Sequence, residues 1–296
     1  MSEIFAGNKI SGVSNSEITV EFALKLGKVL GEHIIKDDSA SKKVIICRDT
    51  RLSGYMLESA LCAGLCSQGI NAFLVGVVPT CAMPDLVTKY KADMGVSVTA
   101  ADLPAEYNGF RIFLNDGSEA NEKTVGKLKD MLLGNITKTF DPSFNVGKVR
   151  RLHTALRDYV DSVKRHSTLG LSGLKVAIDC ANGSGFECAK IIFSESGAHV
   201  EVMHNSPDGE NINKECGIYN IKTIRNFVVS HGCDMGIALN GDGSEALLID
   251  ELGNVLELDV ARKAFSVSDD ADAAQSCLAV AGILADSGSK LSEVER

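Results

Sequence analysis

The chain sets out one order of strands twice. "KKVIICRDT" (42–50) is echoed by "LKVAIDCAN" (174–182), "GINAFLVGVVP" (69–79) by "GAHVEVMHNSP" (197–207), and "ADMGVSVTA" (92–100) by "CDMGIALNG" (233–241). The matches keep their order, with helical spacers of similar length, so duplication of a βαβαβ unit is the economical explanation. This narrows the fold class to α/β: tandem βαβαβ-type domains with mixed, mostly parallel sheets and helices on both faces. In such sheets ligands lie beyond the carboxyl ends of the parallel strands. The equivalent third strands run into "TAADLPAEYNG" (99–109) and "NGDGSE" (240–245), and these two loops are the prime candidates for a site.

Helical periodicity puts Ile18, Phe22, Leu26, Val29 and Ile34 on one face ahead of the first repeated strand. "GYMLESALCAGLCSQG" (54–69) and "AMPDLVTKYKA" (82–92) read as the helices between the strands of the first unit. The polar, turn-rich stretch "GNITKTFDPSFNVGKVRR" (134–151) marks a boundary, and a helix over 154–166 opens the second unit. The expected domains are 1–145, 146–257 and a remainder, 258–296. That remainder reads as a helix over 259–266, then one strand and part of a helix in the run containing "CLAVAGILA" (277–285). A single strand cannot bury both its faces, so it is expected to dock, to pair across a homodimer, or to fray.

At 296 residues, 45% hydrophobic and 23% charged, the chain has room for two domains with sizeable cores. A net charge of −9 and a pI near 5.2 argue against nucleic-acid binding and against a basic membrane patch. "MSEIFAGNKI" has neither a cationic nor an apolar signal region, and "CLAVAGILA" is too short to span a bilayer, so a cytoplasmic location is expected. The nine cysteines include no CxxC pair, and Cys62 and Cys66 fall at i,i+4 of an apolar helix pattern; reduced, buried thiols are the expectation. His33, His153, His166, His199, His204 and His231 show no metal-ligand spacing and are expected on the surface or on strands.

The loops carry the candidate chemistry. In "LNGDGSEALLIDELGN" (239–254), Asn240, Asp242 and Ser244 would offer oxygens to a hard cation from one side of a turn. Only one of the three is charged, so a plain Gly-rich hairpin turn is the favoured reading. "RDTRLSGYM" (48–56) places Arg48 and Arg51 before a helix start, where they could hold a phosphate, or could line a solvated loop capped by Ser53. "DCANGSG" (179–185) is the matching turn of the second unit, and no nucleophile elbow or Ser/His/Asp order is present.

Several stretches taken together carry a resemblance: "RDTRLSGYMLESALCAGLCSQGI" (48–70), "VVPTCAMPDL" (77–86), "DMGVSVTAADLPAEYNGFRIF" (93–113), "DCANGSG" (179–185), "PDGENINKECG" (207–217) and "DMGIALNGDGSEALLIDELGNV" (234–255). They resemble the α-D-phosphohexomutase superfamily, and within it the phosphoglucosamine mutases, from about residue 4 to 257 and faintly beyond. The resemblance implies four domains around a cleft, a phosphoserine in the first, and Mg²⁺ held by three aspartates of a D-G-D-G-D-R turn in the second. Here the phosphoserine loop T-A-S-H-N-P reads Thr99-Ala100-Ala101-Asp102-Leu103-Pro104, which puts Ala101 at the nucleophile position with Asp102 beside it. The metal turn offers Asn240, Asp242 and Ser244, with Glu245 in place of the arginine. Ser11 stands where the N-terminal F-G-T-D-G-I-R-G pattern has its arginine, and Arg111 where the lysine after N-G stands.

By the same resemblance, most of the third domain and all of the fourth lie beyond these residues, and 258–296 is a vestigial start of the third. The first expectation is therefore a catalytically inactive phosphoglucosamine-mutase-like protein with Mg²⁺ binding weak or lost and no cofactor. A sugar-phosphate-binding or regulatory partner of an intact mutase, and a residual mutase with a complementing chain, are the alternatives. A homodimer is expected to cover the strand of the remainder.

Overall fold

The computed structural model describes residues 4–36, 41–134 and 145–294. Most of the boundary expected over 134–151, residues 135–144, therefore lies outside the described residues. The chain divides into two compact units: residues 1–78 with 82–155, and residues 79–81 with 156–296. Among the described residues no helix is long and apolar enough to cross a membrane. All nine cysteines are free thiols.

The first unit contains strands β1 (Phe5–Ala6), β2 (Lys9–Val13), β3 (Lys43–Arg48), β4 (Asn71–Val77), β5 (Met94–Val98), β6 (Tyr107–Leu114) and β7 (Val149–Arg151). Its helices are α1 (Val20–Lys36), α2 (Ser53–Ser67), α3 (Met83–Lys89) and α4 (Glu122–Leu133). The strands form one sheet in the order β1-β2-β6-β5-β3-β4-β7. β7 pairs in parallel with β4, Ala72 opposite Val149, which carries the first unit past the boundary expected at residue 145.

The second unit contains α5 (Ala155–Arg165), β8 (Lys175–Asp179), α6 (Cys188–Glu195), β9 (His199–Met203), α7 (Lys222–His231), β10 (Met235–Leu239), β11 (Ala246–Asp250), β12 (Val255–Glu257), α8 (Leu258–Ala264) and α9 (Ala273–Ser287). Its sheet runs β12-β11-β10-β8-β9.

The repeat is present strand by strand. β4-β3-β5-β6 and β9-β8-β10-β11 are the same arrangement, three parallel strands closed by an antiparallel fourth. Val44 lies opposite Met94 as Val176 lies opposite Met235, and Ile45 opposite Gly95 as Ala177 opposite Gly236. Each strand start is bracketed alike: Lys43 N–H donates to Asp93 Oδ2 and Lys175 N–H to Asp234 Oδ2, both at 2.7 Å. The two lysine ammonium groups reach back to the carbonyls of Tyr90 and His231, at 2.7 and 2.9 Å.

Strand alternation gives each sheet a helix layer on either side. Met94, Val96 and Val98 of β5 join the core beneath α1, α2 and α4, while a Cβ on Gly95 would lie 2.6 Å from Met83 and Val87 of α3. Gly236 repeats this against α7, where a Cβ would lie 2.7 Å from Val228. α1 and α2 cross with their backbones in near contact, since a Cβ on Gly64 would lie 2.2 Å from the Leu24 carbonyl oxygen.

The strand expected in the run containing Cys277–Ala285 is instead helix α9. Asp272 caps it, its side chain accepting from Gln275 N–H while Gln275 answers the Asp272 N–H, and Gly288 closes it at φ +67°. Cys277, Leu278, Val280, Ala281 and Leu284 are all buried, so the helix shows no clean polar face, and a short apolar run of that kind does not separate helix from strand by period. The Tyr159 hydroxyl donates to Asp272 Oδ2 at 3.1 Å and fastens α9 within the second unit. Without that strand, the edge that a homodimer was expected to cover is not formed.

Gly64→Ala tests the α1–α2 crossing. Helix propensity favours alanine by about 1 kcal/mol, but overpacking against backbone costs about 1–3 kcal/mol, and the approach to Leu24 puts it at the upper end. The expected net loss is about 2 kcal/mol, read from the midpoint of urea unfolding.

Candidate functional site

The loop after β5 is pinned from beneath by Arg51, a side chain with no exposed surface. Its guanidinium pairs with the Asp49 carboxylate and donates to the carbonyls of Leu103 and Ala101, the latter at 3.3 Å. Asp49 in turn accepts from the Arg51 N–H at 2.9 Å and from the Thr99 hydroxyl at 2.7 Å. Thr99 Oγ1 accepts the Ala101 N–H at 2.9 Å, which completes a closed network. Ala101 sits at φ +48°, in the left-handed region, with its methyl nearly buried at 8% exposure. The network holds that strained backbone in place.

Arg51, expected as a phosphate ligand, is sealed from solvent and bound to a buried carboxylate, where it braces the loop. Arg48 lies over the Tyr55 ring, 3.7 Å from its centroid, donates to the Asp49 carbonyl at 3.1 Å, and stands 3.9 Å from Glu58. Burial raises the Glu58 carboxyl above the ordinary carboxylate range, and the charges of Arg48 and Arg151 draw it partly back. On β6, Arg111 grips Glu119 through two bonds of 3.0 and 2.7 Å. Ser11 on β2 lies opposite Gly109 and Arg111 opposite Ser97. Asp102 is half-buried in the loop itself. The structure thus gives each of the three arginines a carboxylate neighbour of its own.

In the second unit, the turn after β10 closes on itself. Asn240 and Asp242 have no exposed surface. Ser244 donates to Asp242 Oδ1 through its hydroxyl at 2.6 Å and its N–H at 3.1 Å, and Asn240 Nδ2 donates to Ser244 Oγ at 3.3 Å. Asn240 Oδ1 accepts the Glu245 N–H at 3.1 Å, and the Asp242 carbonyl accepts the Thr80 N–H at 2.7 Å. The oxygens expected to face a cation are engaged by donors of the turn, and one carboxylate stands among the three positions that the resemblance matches to aspartates.

A third cluster is absent from the sequence expectations. Asp179, His204 and Cys216 bring their donor atoms within 4.8 Å of one another. His204, expected on a surface or strand, follows β9 at φ +48° and places Nδ1 3.0 Å from Asp179 Oδ2. Burial pushes the Cys216 thiol up to about 12, with the nearby Asp179 charge adding to the rise, which makes it a poor nucleophile. No short spacing announces this group, because its members come from two strand ends and the long segment after β9.

Comparisons with known proteins bear on both units. The description "Phosphoglucomutase/phosphomannomutase, alpha/beta/alpha domain I" matches residues 2–137, and its domain II counterpart matches residues 157–253. The phosphoglucosamine mutase of Clostridium novyi (strain NT) is 39% identical over 260 residues, covering 88% of this chain and 58% of that protein. The phosphoglucosamine mutase of Acetivibrio thermocellus is 38% identical with the same coverage. Among solved structures, a phosphoglucomutase/phosphomannomutase family protein from Burkholderia thailandensis superposes with a TM-score of 0.78 at 22% identity, covering 88% of this chain and 57% of that one. The pp63/parafusin phosphoglucomutase of Paramecium gives 0.69 at 13%, covering 90% and 57%. These likenesses at low identity speak to the fold alone. The chain spans 58% of the length of these mutase relatives.

Two variants test this geometry. Arg51→Met leaves Asp49 buried without its cation, and the expected loss is about 3–5 kcal/mol in urea unfolding. Asn240→Asp combined with Ser244→Asp gathers three carboxylates in one turn. The double variant is expected to melt below the parent in EDTA and to recover with millimolar Mg²⁺, whereas the parent shows no Mg²⁺-dependent shift.

Proposed function

The chain belongs to the phosphoglucomutase/phosphomannomutase family, and from that premise we propose that it is a phosphoglucosamine-mutase-like protein that no longer transfers phosphoryl groups. The observation that carries this reading is the Ala101 methyl, held by the Arg51–Asp49–Thr99 network, at the position that the sequence resemblance matches to the family's phosphoserine. A methyl has no lone pair to attack phosphorus. Phosphoryl transfer depends on positioning and on cationic charge around the transferring group. Here Asp102 adds a carboxyl group beside Ala101, and the Arg111 guanidinium is held by Glu119.

The turn at 240–245 supports the same reading. Its hydrogen bonds supply from within the protein what a cation would supply from outside. The substrate that the resemblance points to is glucosamine 6-phosphate, with the 1-phosphate as product.

The test is a discontinuous assay for that conversion with a large excess of protein, Mg²⁺ and a hexose bisphosphate activator. Product no higher than in a protein-free blank is expected. Turnover that persists through repurification would overturn the proposal and require a phosphoryl carrier other than residue 101.

A further inference from the structure

The geometry points to Asp179, His204 and Cys216 as a site for a thiophilic divalent cation of the Zn²⁺ class, separate from the turn at 240–245. Among the described residues no other group of His, Cys, Asp and Glu side chains is gathered in this way. The fold builds the cluster from three directions. β8 and β9 are parallel neighbours with Asp179 opposite Met203, so His204 is the first residue past the end of β9. Its carbonyl accepts the Asn182 N–H at 2.6 Å, which fixes the left-handed backbone and turns the imidazole toward Asp179. The segment carrying Cys216 is docked by the Asn213 N–H on the Ala181 carbonyl and by the Gly217 N–H on Asp179 Oδ2, both at 3.0 Å.

Around one tetrahedral Zn²⁺, donors at about 2.0–2.3 Å stand roughly 3.3–3.8 Å apart. The 3.0 Å between His204 and Asp179, and the 4.8 Å that bounds the whole set, span this range, so small side-chain movements close the three donors on one ion. A thiolate, an imidazole and a carboxylate together suit Zn²⁺ and its neighbours in the series, and not Mg²⁺ or Ca²⁺. Asp179 is oriented from behind by the Ala181 N–H at 2.9 Å, the kind of outer hydrogen bond that fixes a metal ligand. Asp179 and Cys216 are buried while the His204 side chain is 29% exposed, which leaves an approach from solvent.

The experiment is a Co²⁺ titration of the full chain after chelator treatment, followed by absorption. A thiolate-to-cobalt charge-transfer band that saturates at one equivalent and is displaced by Zn²⁺ is expected. Cys216→Ser should abolish the band, Cys233→Ser should leave it unchanged, and circular dichroism checks that both are folded. His204→Gln, at a partly exposed position, should weaken Co²⁺ binding by more than the about 10–100-fold that loss of an outer partner costs. It decides the matter if Cys216→Ser does not fold. Absence of a saturable band, a band that survives Cys216→Ser, or undiminished binding by His204→Gln would overturn the assignment.

Discussion

A carboxylate without exposed surface must be met by donors, because an unpaired buried charge costs far more than folding leaves in hand. Four aspartates near strand ends, Asp49, Asp179, Asp242 and Asp250, are buried in this way, and the loops are shaped around them. Asp49 draws in Arg51 and Thr99 and so sets the path of residues 99–103. Asp179 gathers the N–H groups of Ala181 and Gly217 together with His204. Asp242 takes both donors of Ser244, and Asp250 takes the N–H groups of Leu252 and Asn254 and the Asn254 side chain. The loops at 99–103 and 240–245 are thereby held by the protein's own hydrogen bonds.

The parts of this arrangement legible in the sequence are those governed by local period and by repetition. The six repeated strands declare themselves through apolar runs, and the Met-Gly pairs at 94–95 and 235–236 fall in the same register in both units. The loops after β5 and β10 follow from that order. Arg51 was not legible as a brace, because nothing in "RDTRLSGYM" tells that the carbonyls of residues 101 and 103 converge on it from about fifty positions away. α9 was misread because burial on nearly every side erases the alternation that distinguishes a helix. Asp179, His204 and Cys216 are joined only by the pairing of two strands and a docked loop, so no spacing rule could find them.

The duplication also shows which features belong to the scaffold. The lysine and aspartate brackets at the strand starts, and the glycines under α3 and α7, occur in both units. They lie at the opposite ends of the strands from the candidate loops, where the two units differ: an arginine-centred network in one, a serine–aspartate turn in the other. The contacts the two units share and the loops in which they differ thus occupy opposite ends of the same sheets.

The pairing of β7 with β4 has a consequence for the growing chain. Its paired residues are separated by 77 positions, and β4 is flanked on its other side by β3. Until residues 149–151 have been synthesised, the outer edge of β4 presents unpaired backbone groups on an otherwise well-stocked sheet. Such an edge is a template for strands of other chains. The three residues of β7, exposed and carrying Arg150 and Arg151, therefore act as a late-arriving charged selvage that closes the sheet against its neighbours.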